Sequence, residues 1–100
     1  MPAYVIVDVD IHDPVRYRDY MALTPAAITA HGGRFVVRGG ETHSIEGDWT
    51  PGRIVVLEFP SMARARGWYD SPEYRKAMAI RHATANTRMI FVEGVSSDGG

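Results

Sequence analysis

The 100-residue chain contains no cysteine, which rules out a disulfide framework and a thiolate nucleophile and leaves the fold to packing alone. It also lacks a long apolar run: charge interrupts every candidate within about ten positions, short of the ~20 residues needed to cross a bilayer. No sign of charge dominates. The 11 Lys and Arg against 12 Asp and Glu give a formal net charge of -1, which offers no general attraction for nucleic acid or anionic lipid. Met1-Pro2-Ala3-Tyr4 shows neither a basic n-region nor a small-residue cleavage site, so a cytoplasmic location is the expectation. No phosphate loop or nucleophile elbow occurs in the sequence.

The residues that are present follow clear periods. Positions 3 to 11 place Val5, Val7, Val9 and Ile11 on one face of a strand and Tyr4, Ile6, Asp8 and Asp10 on the other. Asp13-Pro14 supplies an N-cap and a proline at N1 for a first helix. Tyr17, Tyr20, Met21 and Leu23 recur along it, Pro25 predicts a kink near Thr24, and His31-Gly32-Gly33 ends it. A second strand spans 34–38. Gly39-Gly40 predicts a bulge or bend, after which 41–46 can continue the strand as an arm before the turn at 47–52. A third strand spans 53–59, and Ser61 and Ser71-Pro72 start two short helices in series to about 84. A fourth strand spans 87–93. Residues 1–95 read as one domain, with 96–100 as a flexible tail.

This βαββαβ order predicts an α+β, ferredoxin-like fold, an antiparallel sheet with two helices on one face. Val5, Val7, Val9, Val55, Leu57 and Phe59 form the purer apolar face and should meet the helices. The opposite face carries Tyr4, Ile6, Val36, Ile54, Val56, Ile90 and Val92, several hundred Å² of apolar surface at roughly 60 to 120 Å² per side chain. That much is rarely left wet on a monomer, and the simplest cover is the same face of a second copy. A homodimer is expected, its two sheets packed into a shared barrel.

His31-Gly32-Gly33-Arg34-Phe35-Val36-Val37-Arg38-Gly39-Gly40, Glu46-Gly47-Asp48-Trp49, 53–61, Trp68-Tyr69 and Ser71-Pro72-Glu73-Tyr74 together resemble the bacterial domain-of-unknown-function 1330 family. The resemblance covers nearly the whole chain. It implies a dimeric α+β barrel and brings no activity and no catalytic residue with it. Related branches of that superfamily include cofactor-independent oxygenases, lactone isomerases and haem-degrading enzymes, which makes a small aromatic or oxygenated ligand an expectation by analogy only.

Candidate chemistry gathers in two places. Asp8 and Glu58 share the outer side of neighbouring strands, and Arg38 has the same parity. Such a cluster can keep one carboxyl protonated for general acid/base work, or can be an ion-pair network fixing register, and the second reading is favoured. Tyr20, Phe35, Trp68, Tyr69 and Tyr74, with Tyr17, can line a flat ligand pocket or simply complete the core. His31 borders that region as a weak candidate base or as a helix-terminal residue. Asp8, Asp10 and His12 span about 13 Å along their strand, too far for one ion, so no metal is expected. No cofactor is expected either. RNA binding is disfavoured, because Gly52-Arg53-Ile54-Val55-Val56-Leu57-Glu58-Phe59 lacks the stacking aromatics of an RRM. Arg64, Arg66, Arg75, Lys76 and Arg81, interleaved with Asp70 and Glu73, read as a solvated helix face. Two classes of function stay open: a small-molecule binder with oxygenase- or isomerase-type chemistry, and a non-enzymatic binding or assembly protein.

Overall fold

A computed structural model describes residues 1–96. Its elements are β1 (Ala3–Ile11), α1 (Pro14–Ala30), β2 (Arg34–Arg38), β3 (Arg53–Phe59), α2 (Met62–Asp70), α3 (Pro72–Thr84) and β4 (Ala85–Glu93). The strands form one antiparallel sheet in the order β2-β3-β1-β4, the ferredoxin-like arrangement. Of the expected flexible tail, only Ser96 falls within the described residues.

Local chemistry fixes the helix ends. Asp13 accepts the Arg16 N–H at 3.2 Å, and Ser61 accepts that of Arg64 at 3.2 Å. Ser71 serves two helices, donating its hydroxyl to the Trp68 carbonyl at 2.7 Å and accepting the Tyr74 N–H at 3.2 Å. It thereby closes α2 and starts α3, with Pro72 at N1. α1 ends in a Schellman motif: Gly33 N–H reaches the Ile28 carbonyl, Gly32 N–H reaches that of Thr29, and Gly32 takes a φ of 77°. Pro25 does not break α1, which remains one helix of 17 residues. A proline lacks the donor for the carbonyl four residues back, here that of Met21. That carbonyl instead accepts Thr24 Oγ1 at 3.3 Å and Arg38 Nη2 at 3.1 Å.

On the helix side Val5, Val7, Val9, Leu57 and Phe59 pack with Tyr17, Ile28, Ala65, Trp68, Tyr74 and Met78 into the core, and Val55 packs against it half-buried. The outer side stays open, with Val37, Val92 and Ile90 at 36%, 41% and 60% exposure.

Two expectations are corrected. Residues 41–46 are exposed and form no strand, because β3 begins at Arg53 and leaves them no partner. Arg38 does not share a face with Asp8 and Glu58, because the register shifts between Phe35 and Val37. Phe35 stands opposite Leu57 before the shift and Arg38 opposite Val55 after it, so the bulge turns Arg38 to the helix side that Phe35 already faces.

Candidate functional site

Between sheet and helices lies a cavity of about 30 Å³, lined from β1 by Val7 and Val9, from α1 by Tyr17, Tyr20, Met21, Thr24 and Ile28, and from β2 by Phe35 and Arg38. Arg53, Val55, Leu57, Trp68, Arg81 and Met89 complete the wall. That is room for at least one water molecule.

Trp68 forms the aromatic wall. It is 1% exposed and packs against Tyr74 at 4.1 Å and Phe59 at 5.3 Å between ring centroids. Its Nε1 is buried without an acceptor, as is Arg53 Nε. Tyr74, fully buried, stands behind the wall; its hydroxyl meets that of Tyr20 at 2.7 Å and accepts Arg81 Nε at 3.3 Å. Tyr69 packs against Trp68 and Phe91 and lines a separate surface depression with Arg66 and Asp70. Of the five aromatics expected to line a pocket, the structure therefore puts Tyr20, Phe35 and Trp68 on the cavity wall and Tyr69 and Tyr74 outside it.

The polar lining has one character. Arg38 caps the rim, its guanidinium 4.2 Å from the Phe35 ring centroid and held by the Met21 carbonyl that Pro25 frees. Arg53, opposite Val9, enters from the start of β3. Its guanidinium occupies the space where a Cβ on Gly39 would fall, and Gly39 sits at φ 71°. Arg81 is 4% exposed, which corrects its reading as part of a solvated face. Burial acts against its charge, but the Tyr74 and Tyr20 hydroxyls outweigh this and leave its pKa raised. Burial likewise raises the pKa of Tyr17 and Tyr20, with Arg53 opposing it at Tyr17 and Tyr74 reinforcing it at Tyr20. Both phenols are protonated donors near neutral pH.

The acidic candidates lie elsewhere. Asp8 and Glu58 stand on the outer face, opposite Ile54 and Tyr4 respectively, and so about four residues apart along the sheet. Asp8 accepts Trp49 Nε1 at 3.1 Å, Gly52 N–H at 3.0 Å and Arg88 Nη2 at 3.0 Å. Glu58 pairs with Arg34 at 3.1 Å. The single Asp8-Glu58-Arg38 cluster does not form. His31 caps α1, its carbonyl bonded by Arg64 Nε at 3.1 Å, and it is not among the residues lining the cavity. Among the described residues no group of three or more His, Asp or Glu comes together that could hold a metal ion. No helix there is long and apolar enough to cross a membrane.

Sequence reasoning missed Arg53 and Arg81 as site residues. Arg81 had a signal, since it continues the stripe Tyr74, Ala77, Met78 and Thr84 on the buried face of α3.

A family model described as "Domain of unknown function (DUF1330)" matches residues 2–95. A solved protein of unknown function from Rhodopseudomonas palustris is 21% identical, with a TM-score of 0.77 over 95% of this chain and 83% of that one. A dimeric ferredoxin-like protein of unknown function from Jannaschia sp. is 15% identical, with a TM-score of 0.72 over 94% of this chain and 100% of its own. SnoaB, a cofactor-independent oxygenase from Streptomyces nogalater, is 13% identical, with a TM-score of 0.64 over 96% and 95% of the two chains. These likenesses establish a shared fold. Among the curated proteins, none matches.

Proposed function

The chain belongs to the family described as Domain of unknown function (DUF1330), and we propose that it acts as a homodimer binding a small aromatic or oxygenated molecule between sheet and helices, with cofactor-free oxygenase- or isomerase-type chemistry. The observation that carries this reading is the hydrogen-bond chain from Arg81 through Tyr74 to Tyr20, which ends on the cavity wall. With Arg81 donating to the Tyr74 oxygen, the Tyr74 proton is free to go to Tyr20, and the Tyr20 proton to face the cavity. A chain of this kind polarises its last donor and suits it to hold negative charge on a ligand oxygen. The fold shared with a cofactor-independent oxygenase supports the reaction class by analogy. A ligand enters past Arg38, the exposed member of the wall, as it leaves the Met21 carbonyl.

A second reading, a binder without catalysis, is favoured by one observation: no carboxylate or imidazole lines the cavity. Its residues stabilise an oxyanion but include no ready base to create one.

The dimer reading rests on the outer apolar face and on a dimeric neighbour of the same fold. A thermal-shift screen with small phenols and ketones, followed by oxygen uptake and product analysis on the hits, tests the function. A ligand at a hundred times its Kd should add about 2.7 kcal/mol of stability. Hits with turnover support the enzyme, hits without turnover support the binder, and a screen with no stabilising compound removes both.

A further inference from the structure

The cavity has an imbalance of charge that packing does not explain. Arg38, Arg53 and Arg81 all line it, and no Asp or Glu does. The ion pairs found among the described residues join Arg34 to Glu58, Arg75 to Asp70, Arg88 to Asp8 and His43 to Glu41, and so involve none of the three. Guanidinium stays charged at any ordinary pH. A charge as buried as that of Arg81 is costly unless something of opposite sign meets it, yet its named partner is a neutral phenol. The other polar groups on the wall are Trp68 Nε1 and Arg53 Nε, each buried without an acceptor, the Tyr20 hydroxyl, the Tyr17 hydroxyl bonded with Arg53, and the Thr24 hydroxyl, which donates to the Met21 carbonyl.

We infer that the cavity receives the carboxylate of a small organic acid, an inference that rests on the pocket reading above and names its ligand class. A planar carboxylate matches the guanidinium fork and brings only acceptors to a wall of donors. Most of the remaining wall is apolar, which suits the hydrocarbon body of an organic acid. The body of the acid runs outward past Tyr20, Met21 and Phe35 as Arg38 turns away from the Met21 carbonyl and toward the ligand.

Formate, acetate and benzoate, each compared at constant ionic strength with formamide, acetamide and benzamide, provide the test by calorimetry and thermal shift. The acids should bind at least about tenfold more tightly than the matched amides, as expected for exchanging charge-assisted for neutral hydrogen bonds. Arg53→Met, at the half-buried edge of the wall, should abolish that preference while the protein stays folded by circular dichroism. Arg81→Lys, which keeps the charge but not the fork, should reduce it. Equal binding of acids and amides overturns the anion inference and leaves the pocket reading standing. Acid binding unchanged in both variants overturns it by placing the anion elsewhere. Failure of all six compounds to bind overturns the anion inference, and the phenol and ketone screen then decides the pocket reading separately.

Discussion

On the outer face of the sheet the carboxylates of Asp8 and Glu58 each meet an arginine, at 3.0 and 3.1 Å, and in the single chain water reaches both partners. On the inner face of the same sheet, Arg53 and Arg38 line the cavity with the buried Arg81, and no acid joins them. Charges usually pair most completely where they are driest, because desolvation without a partner costs several kcal/mol. Here the exposed pairs are complete, while the buried charge of Arg81 meets only a phenol. The outer ion pairs therefore read as register and loop anchoring, worth about 1 kcal/mol or less each, and the inner guanidinium groups as a site that a ligand completes.

The sharpest break in this comparison comes from the aromatic wall itself. Trp68→Ala should cost about 3 to 5 kcal/mol, as expected for emptying a fully packed aromatic position, and should move the midpoint of chemical denaturation accordingly. A much smaller loss would mean that the wall is loosely packed. Val56→Asp tests the outer face, where Val56 is half-buried in the single chain opposite Ile6. If two sheets pack there, a carboxylate in the interface should weaken association by roughly a hundredfold or more without unfolding the protomer. Sedimentation velocity with a parallel circular dichroism spectrum reads both, and an unchanged dimer would assign the interface to another surface.

Removing one hydroxyl from the inner chain is milder. Tyr74→Phe leaves Arg81 Nε and the Tyr20 hydroxyl without their shared partner and should cost about 1 to 2 kcal/mol. The phenols on the cavity wall predict an alkaline limit. Tyr17 and Tyr20 hold their protons above the ordinary tyrosine value of 10.0, so the unfolded chain loses its protons first. The stabilisation is complete below about pH 10 and declines as pH rises beyond it. Urea midpoints between pH 9 and 11 should fall with pH in the native protein and fall less steeply in Tyr20→Phe.

How much of this was legible in the sequence differs between the two faces. Strand periodicity fixes the bounds of β1 and β3, and the serine and glycine caps fix the broken second helix and the end of α1. The apolar inner face follows from the period of two. Parity alone puts Arg38 on the outer face, because nothing in Arg34-Phe35-Val36-Val37-Arg38 marks the extra residue at the bulge that reverses it. Arg81 reads as surface beside the exposed Arg75 and Lys76, although its spacing from Tyr74 and Met78 is that of the buried stripe. Trp68 and Tyr74 were recognised as an aromatic cluster. That only one of them borders the cavity is a matter of depth, which helical spacing does not encode.

The smallest effect isolates the outer face. At Asp8 burial disfavours the charge, but donors from Trp49, Gly52 and Arg88 outweigh it and hold the carboxyl below its ordinary range. A lowered folded pKa gives stability that is present above the unfolded value of 3.8 and is lost as pH falls through the folded one. Asp8→Asn should therefore cost about 1 kcal/mol at neutral pH and flatten the acid limb of the stability profile below about pH 4. Because Trp49 donates to this carboxylate from within the 39–52 loop, its fluorescence should respond to the substitution. Acetate affinity should not change, since Asp8 lies on the opposite side of the sheet from Arg53 and Arg81. A matching loss of affinity would show that the paired and unpaired faces are coupled through β1, and the separation argued from their charges would no longer hold.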